Sequence, residues 1–154
     1  MNAKDVILTQ LGAVHDQSGW FVSLKAALSD ISEEEATRQT KDDSNSIEGI
    51  VHHLIYYNER YLHRVTGVSN KDYNIDSIAE TFANLENRSW SEAVQKLDQL
   101  MNKWKQIVAE FDSDTFEKYV PDLTHLTIHN AYHIGQMVEI RKQQGSWDAR
   151  FGIR

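Results

Sequence analysis

Cysteine is absent from the 154-residue chain. Disulfides, thiolate metal ligands and a protein-borne thiol nucleophile are excluded together. Proline occurs once and glycine seven times. Together they make up about 5% of the residues, against roughly 12% in average usage. Turn-rich β architectures need far more of both, so the composition points to helices. Basic residues are also scarce: 16 Lys and Arg face 23 Asp and Glu, a net charge of −7 with histidine neutral. Nucleic-acid binders draw much of their affinity from neutralising phosphates, so this balance argues against one. It argues equally against docking on an anionic membrane surface. No run approaches the ~20 apolar residues of a membrane span, and Met1 to Lys4 lead into mixed polar and apolar residues rather than a signal-peptide core. The expectation is a cytoplasmic protein of one domain, 1–154, able to bury ~70% of its unfolded surface.

What is present is helical periodicity. Val14, Phe21 and Leu28 recur every seven residues, with Leu11, Trp20 and Leu24 on the same stripe, which predicts a helix from about Asp5 to Ser29. Gly19 weakens it locally. The acidic stretch Asp30 to Asn45 reads as a solvated loop, with a possible helical turn where Ser32 and Glu35 fit a capping box. A second helix is expected from Ser46 to Thr66, along Ile47, Ile50, Val51, Leu54, Tyr57, Asn58, Tyr61, Leu62 and Val65, with Gly67 as its stop. The polar connection Val68 to Arg88 is long enough to be functional or partly helical. Ser89 and Glu92 then open a third helix, whose Trp90, Val94, Leu97, Met101, Trp104, Val108 and Phe111 read as core. Asp112 to Thr115 reads as a loop. Pro121 precedes a fourth helix over about Asp122 to Gln144, with Arg141 and Lys142 suiting its C-terminal dipole and Gly145 ending it. Trp147 and Phe151 of the tail are expected to pack back. Four long amphipathic helices without a convincing strand make an all-α, four-helix bundle.

Seven histidines stand out. His125, His129 and His133 follow one another at intervals of four on the fourth helix, a spacing that lets neighbouring imidazoles converge on one cation. At about 100° per residue, His129 and His133 share a face with Leu126, Gln136, Met137 and Ile140, and that face should look inward. A lone inward histidine is more often a satisfied core residue than a ligand; two on one face bring the odds near even. A third ligand can come from the second helix, where His53 borders the apolar stripe and His52 points almost directly away from it. His125 is assigned to packing or to hydrogen bonding behind the ligands, while His63 and His15 are expected at the surface. HExxH, ExxH, CxxCH, GxxxxGK[ST], GxGxxG and GxSxG are all missing, so zincin, di-iron, haem, phosphate-loop and nucleophile-elbow chemistries lack support. What survives is a mononuclear site of three imidazoles.

The stretch from His129 to Gln136 (HNAYHIGQ), followed by Arg141 to Trp147 (RKQQGSW), resembles the last helix of the DinB-like (YfiT-like) family, typified by HxxxHxGQ. The stretch Ser46 to Leu54, continuing to Tyr61 and Leu62, resembles its second-helix ligand motif, and the Ser89 to Glu92 helix start also agrees. The resemblance spans nearly the whole chain. It implies an up-down-down-up bundle, metal ligands at His53, His129 and His133, and frequent homodimers. Members are described as metal-dependent hydrolases, and relatives act as low-molecular-weight thiol S-transferases or thiol-dependent isomerases. Three neutral imidazoles leave a divalent ion its full charge and an open position for water or a small thiol. Zinc or nickel is the expected metal, although imidazole also accepts iron and copper. Gln136 and Tyr57 are placed to orient a ligand, ordinary packing being at least as good an account of both. No general base stands out, since Glu59 turns away from His53. The expected activity is a hydrolase or thiol S-transferase acting on a small molecule; the alternative is a metal-binding or stress-response protein without turnover.

Overall fold

The computed structural model describes residues 1–39 and 45–151. The end of the acidic stretch and the last three residues of the tail lie outside the described residues. Six α-helices follow in chain order: α1 Ala3–His15, α2 Leu24–Ala27, α3 Glu33–Thr37, α4 Ile47–Thr66, α5 Trp90–Glu110 and α6 Ser113–Gln143. Short 3-10 turns occupy Ile78–Phe82 and Ala149–Phe151. Among the described residues there is no strand, and no helix is long and apolar enough to cross a membrane. Contacts divide the chain into two compact units, one of Met1–Asp30 with Met101–Arg154 and one of Ile31–Leu100. Helix α5 contributes its first half to the second and its last half to the first.

In the first of these units α1 packs on α6, with α2 touching both. Asn2 caps α1 in a reciprocal box with Asp5, and Ile7, Leu11 and Val14 are buried. The single helix expected from Asp5 to Ser29 is two. Helix α1 stops at His15 because Asp16, Ser18 and Gly19, three of the next four residues, are poor helix formers. Lys105 also holds both oxygens of Asp16 at 3.1 Å. The Ser23 hydroxyl then accepts from Ala26 N at 3.3 Å to start α2. Trp20, expected on the buried stripe, falls in this break and is fully exposed, and Phe21 is exposed beside it. His15, expected at the surface, is buried, since it lies one turn after the buried Leu11 and next to the buried Val14.

Helix α6 starts nine residues earlier than the expected Asp122. The Asp112 carboxylate accepts from Thr115 N at 2.8 Å, a good N-cap, and Pro121 lies inside the helix rather than before it. Proline there deprives the Glu117 carbonyl of its donor. Both residues are exposed, so water can serve that carbonyl. The helix ends as expected, with Gly145 at φ 76°. Arg141 lies in the last turn, as expected, and does more there than complement the dipole. It is buried and donates to the carbonyls of Ala27, Ser29 and Ser146 at 2.7–3.2 Å, with its guanidinium 5.4 Å over Trp147. The Arg141 contact brings Trp147 back onto α6, as expected of the tail, and Trp147 meets Phe151 edge-on.

In the second unit α3 and the Ile78–Phe82 turn pack on α4. Ser32 and Glu35 form the expected capping box. Ser46 caps α4, and Gly67 at φ 76° closes it in the left-handed conformation that glycine adopts without strain. Ser89 N donates to the Glu92 carboxylate at 2.8 Å and the Ser89 hydroxyl accepts from Glu92 N at 3.1 Å, opening α5 where expected.

Candidate metal centre

His53 sits in the middle of α4 with its ring held on several sides. Phe82 stacks on it with ring centroids 4.0 Å apart and planes 6° from parallel, and Tyr57 meets it edge-on at 5.0 Å. Both aromatic partners are placed by chain logic: Tyr57 is one helical turn on, and Phe82 ends the 3-10 turn packed against α4. The third contact sets the chemistry. The Thr81 hydroxyl gives its only proton to the Ile78 carbonyl at 2.6 Å. Its oxygen can therefore only accept from His53 Nδ1–H, at 2.7 Å. Nε2 of His53 is left unprotonated, as a metal ligand must be.

His129 and His133 project from successive turns of α6. Their Nε2 atoms are 3.1 Å apart and their rings nearly perpendicular, at 82°. Gln136 Oε1 accepts from His133 Nδ1–H at 2.7 Å, which again frees Nε2. Two nitrogens bonded to one tetrahedral zinc at about 2.0–2.1 Å stand about 3.3 Å apart, so this pair already has close to the required spacing. Burial is the first cause that lowers the His129 pKa, to about 4, with the His133 charge second. Burial also lowers His133, against the raising effect of Gln136. His129 is thus neutral at pH 7 and available for coordination.

One ring nitrogen from each of His53, His129 and His133 lies within 4.8 Å of the other two. The group is all histidine, and its donor set fits a divalent ion without a carboxylate. His52 is buried as well, its Nε2 3.3 Å from the Glu48 carboxylate, and stands outside the group. His125, expected to pack or to hydrogen-bond behind the ligands, is instead exposed. Each step of four residues turns the helix by about 40° beyond a full circle, so eight residues carry His125 roughly 80° off the His133 direction. His63 lies partly exposed, its Nδ1 on Asn70 Oδ1 at 3.0 Å. Glu59 pairs with Lys96, in keeping with its facing away from His53. The residue that sequence reasoning missed is Thr81, buried within the polar connection. Only the capping pattern Ser77 to Glu80 hinted at a turn there.

Two outcomes test this geometry. Thr81→Val keeps the shape but removes the acceptor for His53 Nδ1–H. Loss of such supporting contacts typically costs 10–100-fold in metal affinity, and a chelator-competition titration will show a loss in that range. The second concerns acid. His129 takes its proton near pH 4 in the native state but near 6.5 in the unfolded chain. Between those values the unfolded state binds more protons, so in metal-free protein the His129 contribution to stability is lost as pH falls through this window. The denaturation midpoint of a His129→Gln variant will accordingly change less between pH 7 and 4.5 than the parent's. Equal slopes would contradict the assignment.

A family model described as the DinB superfamily matches residues 22–138. No curated protein and no solved structure compared with the chain gives a match. The matched span covers well over half of the 154 residues and contains all three clustered histidines, and the chain belongs to the DinB superfamily.

Proposed function

We propose that His53, His129 and His133 together hold one divalent ion, zinc or nickel, and that the protein is a metal-dependent enzyme acting on a small molecule. The observation that carries this is the clustering of three ring nitrogens within 4.8 Å, two of them freed by hydrogen bonds at their Nδ1 atoms. When bound to three neutral imidazoles, such an ion supplies Lewis-acid charge with one position open for substrate. The chain's own residues then have separate tasks. Thr81 and Gln136 keep the His53 and His133 rings in the right tautomer. Phe82 and Tyr57 fix the plane of the His53 ring. Burial raises the Tyr57 pKa, so its hydroxyl stays protonated at neutral pH and can donate to a bound oxygen.

The reaction we propose is hydrolysis or S-transfer from a low-molecular-weight thiol. A chain without cysteine supplies no thiol itself, which suits a substrate that brings one. We further propose a single cytoplasmic domain folded as an up-down-down-up bundle. We also propose a homodimer, supported by exposed Trp20, Ile128 and Tyr132. The activity test is an assay of metal-loaded protein with small thiols and electrophilic acceptors, alongside ester and amide substrates. Turnover that disappears with chelator and returns with metal is the expected result. Metal binding with no turnover across the panel would leave a metal-binding or stress-response protein instead.

A further inference from the structure

A cavity of about 150 Å³ lies wholly within the 31–100 unit and carries more cationic groups than it can neutralise. Its walls include Tyr56, Arg60, Lys71, Tyr73, Glu86 and Arg88. The acids here are already engaged. Glu86 accepts from Lys71 Nζ at 3.0 Å and from the Tyr73 hydroxyl at 2.6 Å. Glu59, also on the wall, is paired with Lys96.

The two guanidiniums are not engaged in this way. Among the described residues, no carboxylate lies within 4.0 Å of Arg60 or Arg88. Arg60 lies 5.7 Å over the Tyr56 ring, and the Arg88 charge acts on Tyr73 and Glu86 of the same wall. Their main chains, by contrast, are pinned. Asn70 Nδ2 donates to the Arg60 carbonyl at 3.2 Å. Asn84 accepts from Arg88 N at 2.9 Å and donates to the Arg88 carbonyl at 2.7 Å. Two arginines with fixed backbones and unpaired forks, lining one cavity in a chain of net charge −7, are an arrangement for capturing an anion.

We propose that this cavity binds a small organic anion, with Arg60 and Arg88 taking its carboxylate or phosphate oxygens and the tyrosine rings bounding its body. A cavity of this size admits a short dicarboxylate or a phosphate group. The side chains that would hold the anion, Arg60 and Arg88, are distinct from His53, Thr81 and Phe82 of the metal centre.

Succinate and inorganic phosphate serve as probes, titrated by calorimetry at constant ionic strength with chelator present, so that metal-held anion does not contribute. The expected result is saturable binding of at least one probe at one site per chain, in the sub-millimolar range. Arg60→Ala and Arg88→Ala should each weaken it tenfold or more, and Lys103→Ala, an exposed cation elsewhere, should leave it unchanged. Preference for succinate marks a carboxylate ligand, and preference for phosphate marks a phosphorylated one. Neither arginine makes an ion pair among the described residues, so both variants should keep the parent's thermal midpoint, and this is measured beside binding. Absence of saturation by both probes up to ~10 mM, or parent-like affinity in both arginine variants, overturns the proposal.

Discussion

His133→Ala will reduce affinity for a divalent ion by roughly a hundredfold or more. A binding free energy on the order of 10 kcal/mol, shared among three ligands, gives ~3 kcal/mol to each, and every ~1.4 kcal/mol is tenfold. The loss goes beyond one ligand, because His133 Nε2 stands 3.1 Å from His129 Nε2 and removing it breaks the pre-spaced pair on α6. His125→Ala is the matched control. It lies on the same helix, is exposed, and should bind metal as the parent does. Competition with a chromophoric chelator reads both. Parent-like affinity in His133→Ala, or equal losses in the two variants, would remove His133 from the site.

Arg141→Ala will lower the thermal midpoint by about 10 °C. The side chain is 1% exposed and serves three carbonyls from three places in the chain: Ala27 at the end of α2, Ser29 just beyond it, and Ser146 after α6. Hydrogen bonds to a charged group contribute about 1.5–3 kcal/mol each, and a buried acceptor left without a donor costs about 1–3 kcal/mol. Non-additivity brings the total to roughly 3–5 kcal/mol, and each kcal/mol moves the midpoint of a domain of this size by about 2–4 °C. Arg141→Lys should lose nearly as much, because one ammonium cannot reproduce the planar fork that reaches all three oxygens. A midpoint shift under 3 °C in Arg141→Ala would show that these bonds carry little net stability.

Much of this fold could be read from local signals. The caps at Ser32 and Ser89 and the stops at Gly67 and Gly145 are short-range patterns, and each falls where the chain's chemistry placed it. Sequence and structure differ where tertiary contacts outweigh periodicity. A sevenfold repeat through Val14, Phe21 and Leu28 carried the first helix across Asp16 to Gly19, and nothing local shows that Lys105 would fasten Asp16 from 89 residues away. Pro121 looked like a boundary, whereas Asp112 caps the helix and the missing donor falls on an exposed face. Arg141 reads as an ordinary C-terminal cation because two of its three acceptors lie more than 100 residues distant. At the site, helical spacing was enough to pair His129 with His133 and to prefer His53 over His52. It did not reveal Thr81, whose role depends on the path of the connection after α4. His125 was misjudged because the 40° drift per four residues accumulates over two steps.

The account stands on three imidazoles sharing one ion. X-ray absorption at the metal edge of protein loaded with one equivalent of zinc tests this most directly. Three histidine nitrogens at about 2.0–2.1 Å, with outer-ring scattering for three imidazoles and a light-atom fourth ligand, is the result expected. That scattering should drop by one imidazole in His53→Ala. A shell of oxygens without imidazole scattering, or a spectrum unchanged by His53→Ala, would contradict it.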